Sequence, residues 1–121
     1  MAENYIGVPD AQYNSIDFNG DVDTYAVWLT GGQSYSFDAI GWGETAGNGD
    51  GWLDPTLTVS DAVYDWNWDL VPNTTLAFND DINYPSNLDS HIDFTAGADG
   101  YYILSVAGYG SETGDYSLYT A

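Results

Sequence analysis

The chain contains no lysine and no arginine against 16 aspartates and three glutamates, and this limits what it can fold into more than any other feature. An ordinary domain offsets crowded carboxylates with its own cations. Here the formal charge is -19 with a single histidine, so gathering these residues on a compact body raises the self-repulsion free energy. Either the acids spread over every face, or a cation arrives from solution. The bias toward aspartate favours the second reading. Short, stiff carboxylates in turns suit Ca2+, a hard ion that takes about 6–8 oxygen ligands. Adaptation to brine is the competing account, although it predicts some residual basic residues. Intrinsic disorder fits poorly, because 44% apolar and 17% aromatic residues are enough to build a core.

The length suits one domain, taken as residues 1–121, with 1–13 an N-terminal extension or a first strand. Without cysteine there is no disulfide framework and no thiolate metal site. The charge disfavours nucleic acid and anionic membranes, which would repel it. No run of about 18 apolar residues offers a membrane span. No signal-peptide pattern opens the chain, and Met1-Ala2-Glu3 reads as the start of a piece cut from a longer protein. The expected location is extracellular or on the cell surface, because weak calcium modules work near millimolar ion.

No long window carries helical apolar spacing, and glycine and aspartate interrupt every candidate. Period-2 alternation recurs instead, predicting strands over 14–18, 22–30, 33–39, 55–60, 75–78, 88–95, 101–107 and 116–120. The expected fold is all-β, an antiparallel β-sandwich of jelly-roll type with calcium-bound loops at one end. If successive strands reverse direction, one end carries Asp21, Asp23, the 40–54 loop, the 79–89 loop and the 108–114 loop. The other end carries Gly31-Gly32, the 61–74 hairpin and the 96–100 turn. Tyr25, Phe37, Phe78, Phe94 and Tyr102 are core candidates.

The parity argument gathers Asp54, Asn79, Asp80, Asp81 and Asp89 at one end, with Asp21, Asp23 and Asp50 nearby; these eight are the candidate calcium ligands. Adjacent aspartates repel unless a cation sits beside them. Each also has a plainer reading, Asp21 and Asp23 as a solvated Asx-turn and Asn79-Asp80-Asp81 as an acidic turn. The run 17–23 mimics half an EF-hand loop, but Val22 stands where glycine is needed and Trp28 where glutamate is needed. His91, the one histidine, reads as a surface or partly buried strand residue. Asp93, Asp99 and Asp115 read as surface residues.

Several blocks occur in order: Gly20-Asp21-Val22-Asp23-Thr24-Tyr25, Leu29-Thr30-Gly31-Gly32-Gln33-Ser34-Tyr35, Leu53-Asp54-Pro55-Thr56-Leu57, Leu76-Ala77-Phe78-Asn79-Asp80-Asp81, Leu88-Asp89-Ser90, Gly100-Tyr101-Tyr102 and Gly114-Asp115-Tyr116-Ser117-Leu118. The set resembles the bacterial pre-peptidase C-terminal (PPC) domain from about residue 14 onward. The resemblance implies a calcium-binding β-sandwich appended to exported enzymes and large adhesins. It is most similar to versions in repeats-in-toxin (RTX) adhesins, through the 47–55 run and the 109–114 loop. That likeness implies capture of a peptide or protein C-terminus on a host or neighbouring cell surface. The chain departs from the pattern in its long 61–75 hairpin with Tyr64, Trp66 and Trp68, and in His91 where a basic residue is common.

These readings together predict a non-catalytic, monomeric, calcium-dependent ligand-binding module. An ion with an open coordination position accepts a carboxylate from the ligand, with Trp52, Tyr84, Ser90 and Tyr109 as ligand-contact candidates. The aromatics among them can equally serve as lids on the core. A structural spacer or secretion appendage and a glycan-binding module are the alternatives. Trp66 and Trp68 either stack on sugars or bury against a neighbouring domain.

Overall fold

The computed structural model describes residues 4–17, 21–42, 55–79, 90–108 and 114–121. Among them are strands β1 (Asn4–Tyr5), β2 (Asp10–Ile16), β3 (Val22–Leu29), β4 (Ser34–Trp42), β5 (Pro55–Tyr64), β6 (Leu70–Asn79), β7 (Ser90–Thr95), β8 (Gly100–Gly108) and β9 (Gly114–Thr120). A five-stranded sheet runs β1-β3-β8-β5-β6 and a four-stranded sheet runs β2-β9-β4-β7. The β1–β3 pair is parallel and the other pairs are antiparallel. The antiparallel β-sandwich expected from the alternation is the fold found.

Alternation decides the core. Tyr25, Val27 and Leu29 of β3 point between the sheets, as do Phe37 and Ala39 of β4 and Leu57 and Val59 of β5. Tyr102, Leu104 and Val106 of β8 and Tyr116 and Leu118 of β9 complete the layer. Each large side chain fully buried here contributes about 1.5–3 kcal/mol of transfer free energy. A smaller cluster of Ala26, Leu70 and Ile103 lies apart from the main core, with Ala62 against it.

Three expectations need correction. The opening strand begins at Asp10 rather than residue 14, and β1 precedes it alongside β3. The 61–74 hairpin is mostly strand, since β5 runs to Tyr64 and β6 starts at Leu70. Phe78 is 60% exposed rather than core. It pairs with Thr58 across the β5–β6 ladder, whereas the inward residues Leu57 and Val59 face Asn79 and Ala77. The alternation at 75–78 was real but its phase was inverted, and β6 is an edge strand that tolerates an outward aromatic. Phe94 packs partly buried against the core, and Tyr25, Phe37 and Tyr102 lie in it.

The β3–β4 turn shows glycine at work. Gly32 has φ +86, a left-handed conformation in which a side chain is strained. At Gly31 an added Cβ would lie 2.9 Å from the Ala98 Cα, so the turn and the β7–β8 connection meet backbone to backbone. The Gly31 amide donates to Asp99 Oδ1 at 2.7 Å, and the Gly32 amide donates to the Ala96 carbonyl at 2.8 Å.

Candidate functional site

Register places the strand ends. Val22 pairs with Ala107, Pro55 with Gly108, Leu57 with Asn79, Ala39 with Ser90, Trp42 with Asp115 and Ile16 with Gly114. All these ends share one pole of the sandwich. The connections 18–20, 43–54, 80–89 and 109–113 therefore all join strands at that pole, as the parity argument requires. The opposite pole carries the Gly31-Gly32 turn, the 65–69 hairpin tip and the 96–99 turn.

Two buried polar struts cross between the sheets near the loop pole. Ser90 is fully buried; its one hydroxyl proton is donated to the Pro55 carbonyl at 2.6 Å, and the Asn79 carbonyl lies 3.1 Å from the same oxygen. The Asn79 side-chain oxygen accepts from the His91 amide at 3.2 Å. Both side chains thus hold the base of the 80–89 connection.

The second strut is a hydroxyl chain. Tyr116 of β9 donates to Asp23 Oδ2 at 2.6 Å, and its oxygen lies 2.6 Å from the Tyr25 hydroxyl of β3. The Tyr116 proton is directed to the carboxylate, so Tyr25 donates to Tyr116. Asn14 Nδ2 donates in turn to Tyr25 at 3.3 Å. Burial holds the Asp23 carboxyl above its usual range; the Tyr116 hydrogen bond opposes this, and the nearby charges of Asp21 and Asp17 add to it. Burial also pushes the Tyr116 phenol far up, so it serves as a fixed donor. Asp21 Oδ2 accepts from the Asp17 amide at 2.9 Å, and Asp17 Oδ1 accepts from the Ser15 hydroxyl at 2.6 Å. The described part of the pole is therefore acidic, and hydroxyls and amides are its neutral donors.

Of the candidate ligands, Asp21, Asp23 and Asn79 lie at this pole. Asp50, Asp54, Asp80, Asp81 and Asp89 lie outside the described residues, as do Trp52, Tyr84 and Tyr109. Among the described residues, no group of three or more histidine, cysteine or acidic side chains is arranged to hold a metal ion. Among the described residues, Asp21 and Asp23 by themselves are too few to make up a calcium coordination shell of about 6–8 oxygens. No helix among the described residues is long and apolar enough to cross a membrane.

His91 lies on the outer face of the four-stranded sheet. Its Nδ1 is 2.5 Å from Asp38 Oδ1 on β4, and its Nε2 is 2.9 Å from Asp93 Oδ1. The hydrogen bond to Asp38 is the main influence raising its pKa, aided by Asp93 and opposed by burial. Ser36 donates to Asp93 rather than to the histidine, at 3.1 Å. With both ring nitrogens facing carboxylates, the ring offers no base to a serine nucleophile. Asp93 is exposed yet paired, a partnership that the i, i+2 spacing of 91 and 93 on one strand face makes legible.

The opposite pole holds an arrangement that sequence reasoning left undecided. Tyr64, Asp65, Trp66 and Trp68 line a concavity of about 430 Å³ at the β5–β6 tip. Neither tryptophan is packed away, since Trp66 is 99% and Trp68 79% exposed.

Among solved structures, the chain is similar to the pre-peptidase C-terminal domain of a collagenase from Bacillus anthracis, with 17% identity and a TM-score of 0.62, covering 100% of this chain and 95% of that one. It is also similar to PliG of Aeromonas hydrophila, a periplasmic inhibitor of g-type lysozyme, with 12% identity and a TM-score of 0.57, covering 100% and 98%. A third neighbour is CorA of Methylomicrobium album BG8, a surface-associated copper-binding protein, with 10% identity and a TM-score of 0.63, covering 100% and 99%. No family model matches the chain, and no curated protein sequence matches it significantly. The narrower likeness to RTX adhesins has no support among these three neighbours. At such identities the likeness concerns fold, and the fold of this chain is a β-sandwich of the kind seen in the collagenase PPC domain.

Proposed function

We propose that this chain is a non-catalytic, calcium-dependent ligand-binding module of an exported protein, and that its working surface is the loop pole. The observation that carries the reading is the strand register. It brings both ends of the 43–54, 80–89 and 109–113 connections, together with Asp21 and Asp23, to one pole of a chain without lysine or arginine. Asp23 adds support: a partly buried carboxyl beside Asp21 and Asp17 is stabilised by any cation placed there. Asp21 and Asp23 would share the ion with Asp50, Asp54, Asp80, Asp81 and Asp89 of the connecting segments, and Asn79 with Ser90 would anchor the base. Bound calcium would neutralise the pole and offer a Lewis-acidic position to an anionic ligand group. The proposed ligand class is a peptide C-terminus, whose carboxylate such an ion would accept on a surface that has no basic side chain of its own. The periplasmic and surface-associated neighbours support a location outside the cytoplasm.

Thermal melts in calcium, in EDTA and in sodium chloride test the first part. For dissociation constants of about 0.1–1 mM, 10 mM calcium stabilises by roughly 1.4–2.7 kcal/mol per ion. Sodium chloride at matched ionic strength supplies screening alone and should give a smaller shift. An equal shift from both salts would replace the calcium reading with general charge screening. Calorimetry with peptides bearing free or amidated C-termini tests the second part, and equal affinity would sink carboxylate capture.

A further inference from the structure

The hairpin tip at the pole opposite the acidic connections offers a separate set of side chains. The turn is closed by its own backbone: the Asp65 amide donates to the Asp69 carbonyl at 2.9 Å, and the Trp68 amide donates to the Asp65 carbonyl at 3.1 Å. Asp65 Oδ1 accepts from the Asn67 and Asp69 amides at 2.8 and 3.0 Å. Oδ2 takes no part in these turn contacts. Trp68 sits at φ 63, the left-handed position of such a hairpin, which glycine or asparagine normally fills. A bulky residue is strained there, and its ring gains nothing from burial because it stays largely exposed. Folding alone does not explain a tryptophan at this position, whereas display of its ring does.

The ring geometry narrows the ligand. Tyr64 and Trp68 stand with centroids 5.9 Å apart and planes inclined at 57°, and Trp66 is free of packing beside them. A flat sugar stacks best on a flat platform. Inclined rings form walls around a compact guest, and the quadrupole of each ring attracts a cation at its face. Asp65 is among the residues that line the same concavity, and the whole chain is anionic, so anions are repelled and cations are concentrated there. We propose that Tyr64, Asp65, Trp66 and Trp68 form an aromatic cage for a small free organic cation of the quaternary ammonium class. The rings replace water around the methyl groups, and Asp65 Oδ2 balances the charge.

The test titrates the intact chain with choline chloride, following tryptophan fluorescence and ring-proton NMR shifts. Sodium chloride, the neutral choline isostere 3,3-dimethylbutanol and glucose serve as parallel probes. Each exposed ring contact is worth roughly 2- to 5-fold in affinity. Trp66→Ala and Trp68→Gly should each weaken choline binding by about that factor or more. Asp65→Asn keeps the side-chain oxygen that the turn needs and should remove most of the preference for choline over its isostere. The tip is remote from the loop pole, so EDTA should leave choline binding unchanged, which separates this site from the calcium reading. The proposal is overturned if choline does not bind, if the isostere binds equally well, if sodium chloride reproduces the signal, or if glucose binds instead. Sedimentation showing that Trp66→Ala abolishes self-association, with no choline binding, would assign the rings to a second copy of the chain and also overturn it.

Discussion

Tyr116→Phe removes one oxygen from the sandwich interior and leaves the ring in place. The lost hydroxyl donates to the Asp23 carboxylate and accepts from Tyr25. A hydrogen bond to a charged group contributes about 1.5–3 kcal/mol, and an interior hydroxyl left without an acceptor costs a further 1–3 kcal/mol. Asp23 is only half-buried and can recruit water, so the expected loss at pH 7 is about 2.5–4 kcal/mol, the lower part of that sum. The loss depends on pH with a definite sign. The folded Asp23 carboxyl titrates above its ordinary 3.8, so its contribution is fully present below 3.8 and is lost as pH rises through the folded value. The Tyr116 hydrogen bond moderates that upward shift, and its removal enlarges it. Near pH 3 the protonated Asp23 accepts only a neutral hydrogen bond, while the Tyr25 hydroxyl still loses its acceptor, so the variant should lose about 1–1.5 kcal/mol less there than at pH 7. Urea titrations at both pH values, in EDTA so that no divalent ion holds Asp23, give the comparison. An equal loss at pH 3 and pH 7, or one below about 1 kcal/mol at pH 7, would refute the charged-acceptor account. Asp23→Asn in a double-mutant cycle supplies the coupling directly.

Three further outcomes are expected. His91 is held above its usual pKa, so its stabilisation is fully present below 6.5 and is lost as pH rises through the folded value. An exposed pairing of this kind is worth at most about 1 kcal/mol, and His91→Gln should remove the excess stability at pH 5.5 while changing little at pH 8.5. As the only histidine, its ring can be titrated by NMR without ambiguity, and a value at or below 6.5 contradicts the paired geometry. Gly31→Ala drives a methyl group to 2.9 Å from the Ala98 Cα and should lower stability by about 1–3 kcal/mol, read from the urea midpoint. Ser90→Ala leaves the Pro55 carbonyl near the loop pole without its hydroxyl donor and should cost about 1–3 kcal/mol; a neutral result would mean that water replaces it.

The loop pole was legible because a topological rule reached it. Strand alternation followed by reversal of direction fixes which connections share an end, and the Val22–Ala107 and Pro55–Gly108 pairs agree. The phase of a short strand was less legible. Over 75–78 the large residues alternate with small ones, and period-2 spacing is the same whichever set points inward. Pairing with Thr58 is what turned Phe78 outward. Ser90 read as a contact for a ligand on its neighbourhood in the sequence, yet it lies buried with its hydroxyl on Pro55 and Asn79. A serine carries no mark that separates a strut from a contact. The Asp23–Tyr116–Tyr25–Asn14 chain joins residues up to 93 positions apart, beyond the reach of any local pattern.

By itself the sequence determined the electrostatic problem and the class of fold. A chain without basic side chains must find its cations elsewhere, and alternating apolar residues broken by glycine and aspartate can bury one face only as strands. Tertiary structure decided which polar groups meet. Hydrogen bonding acts over about 3 Å, so partners for Asp23 and Ser90 exist only once the two sheets are stacked, and Asp38 reaches His91 only once β4 and β7 are registered. The same stacking left the hairpin rings outside, because Tyr64, Trp66 and Trp68 sit at the end of the β5–β6 ladder, where no strand of the opposite sheet among the described residues covers them.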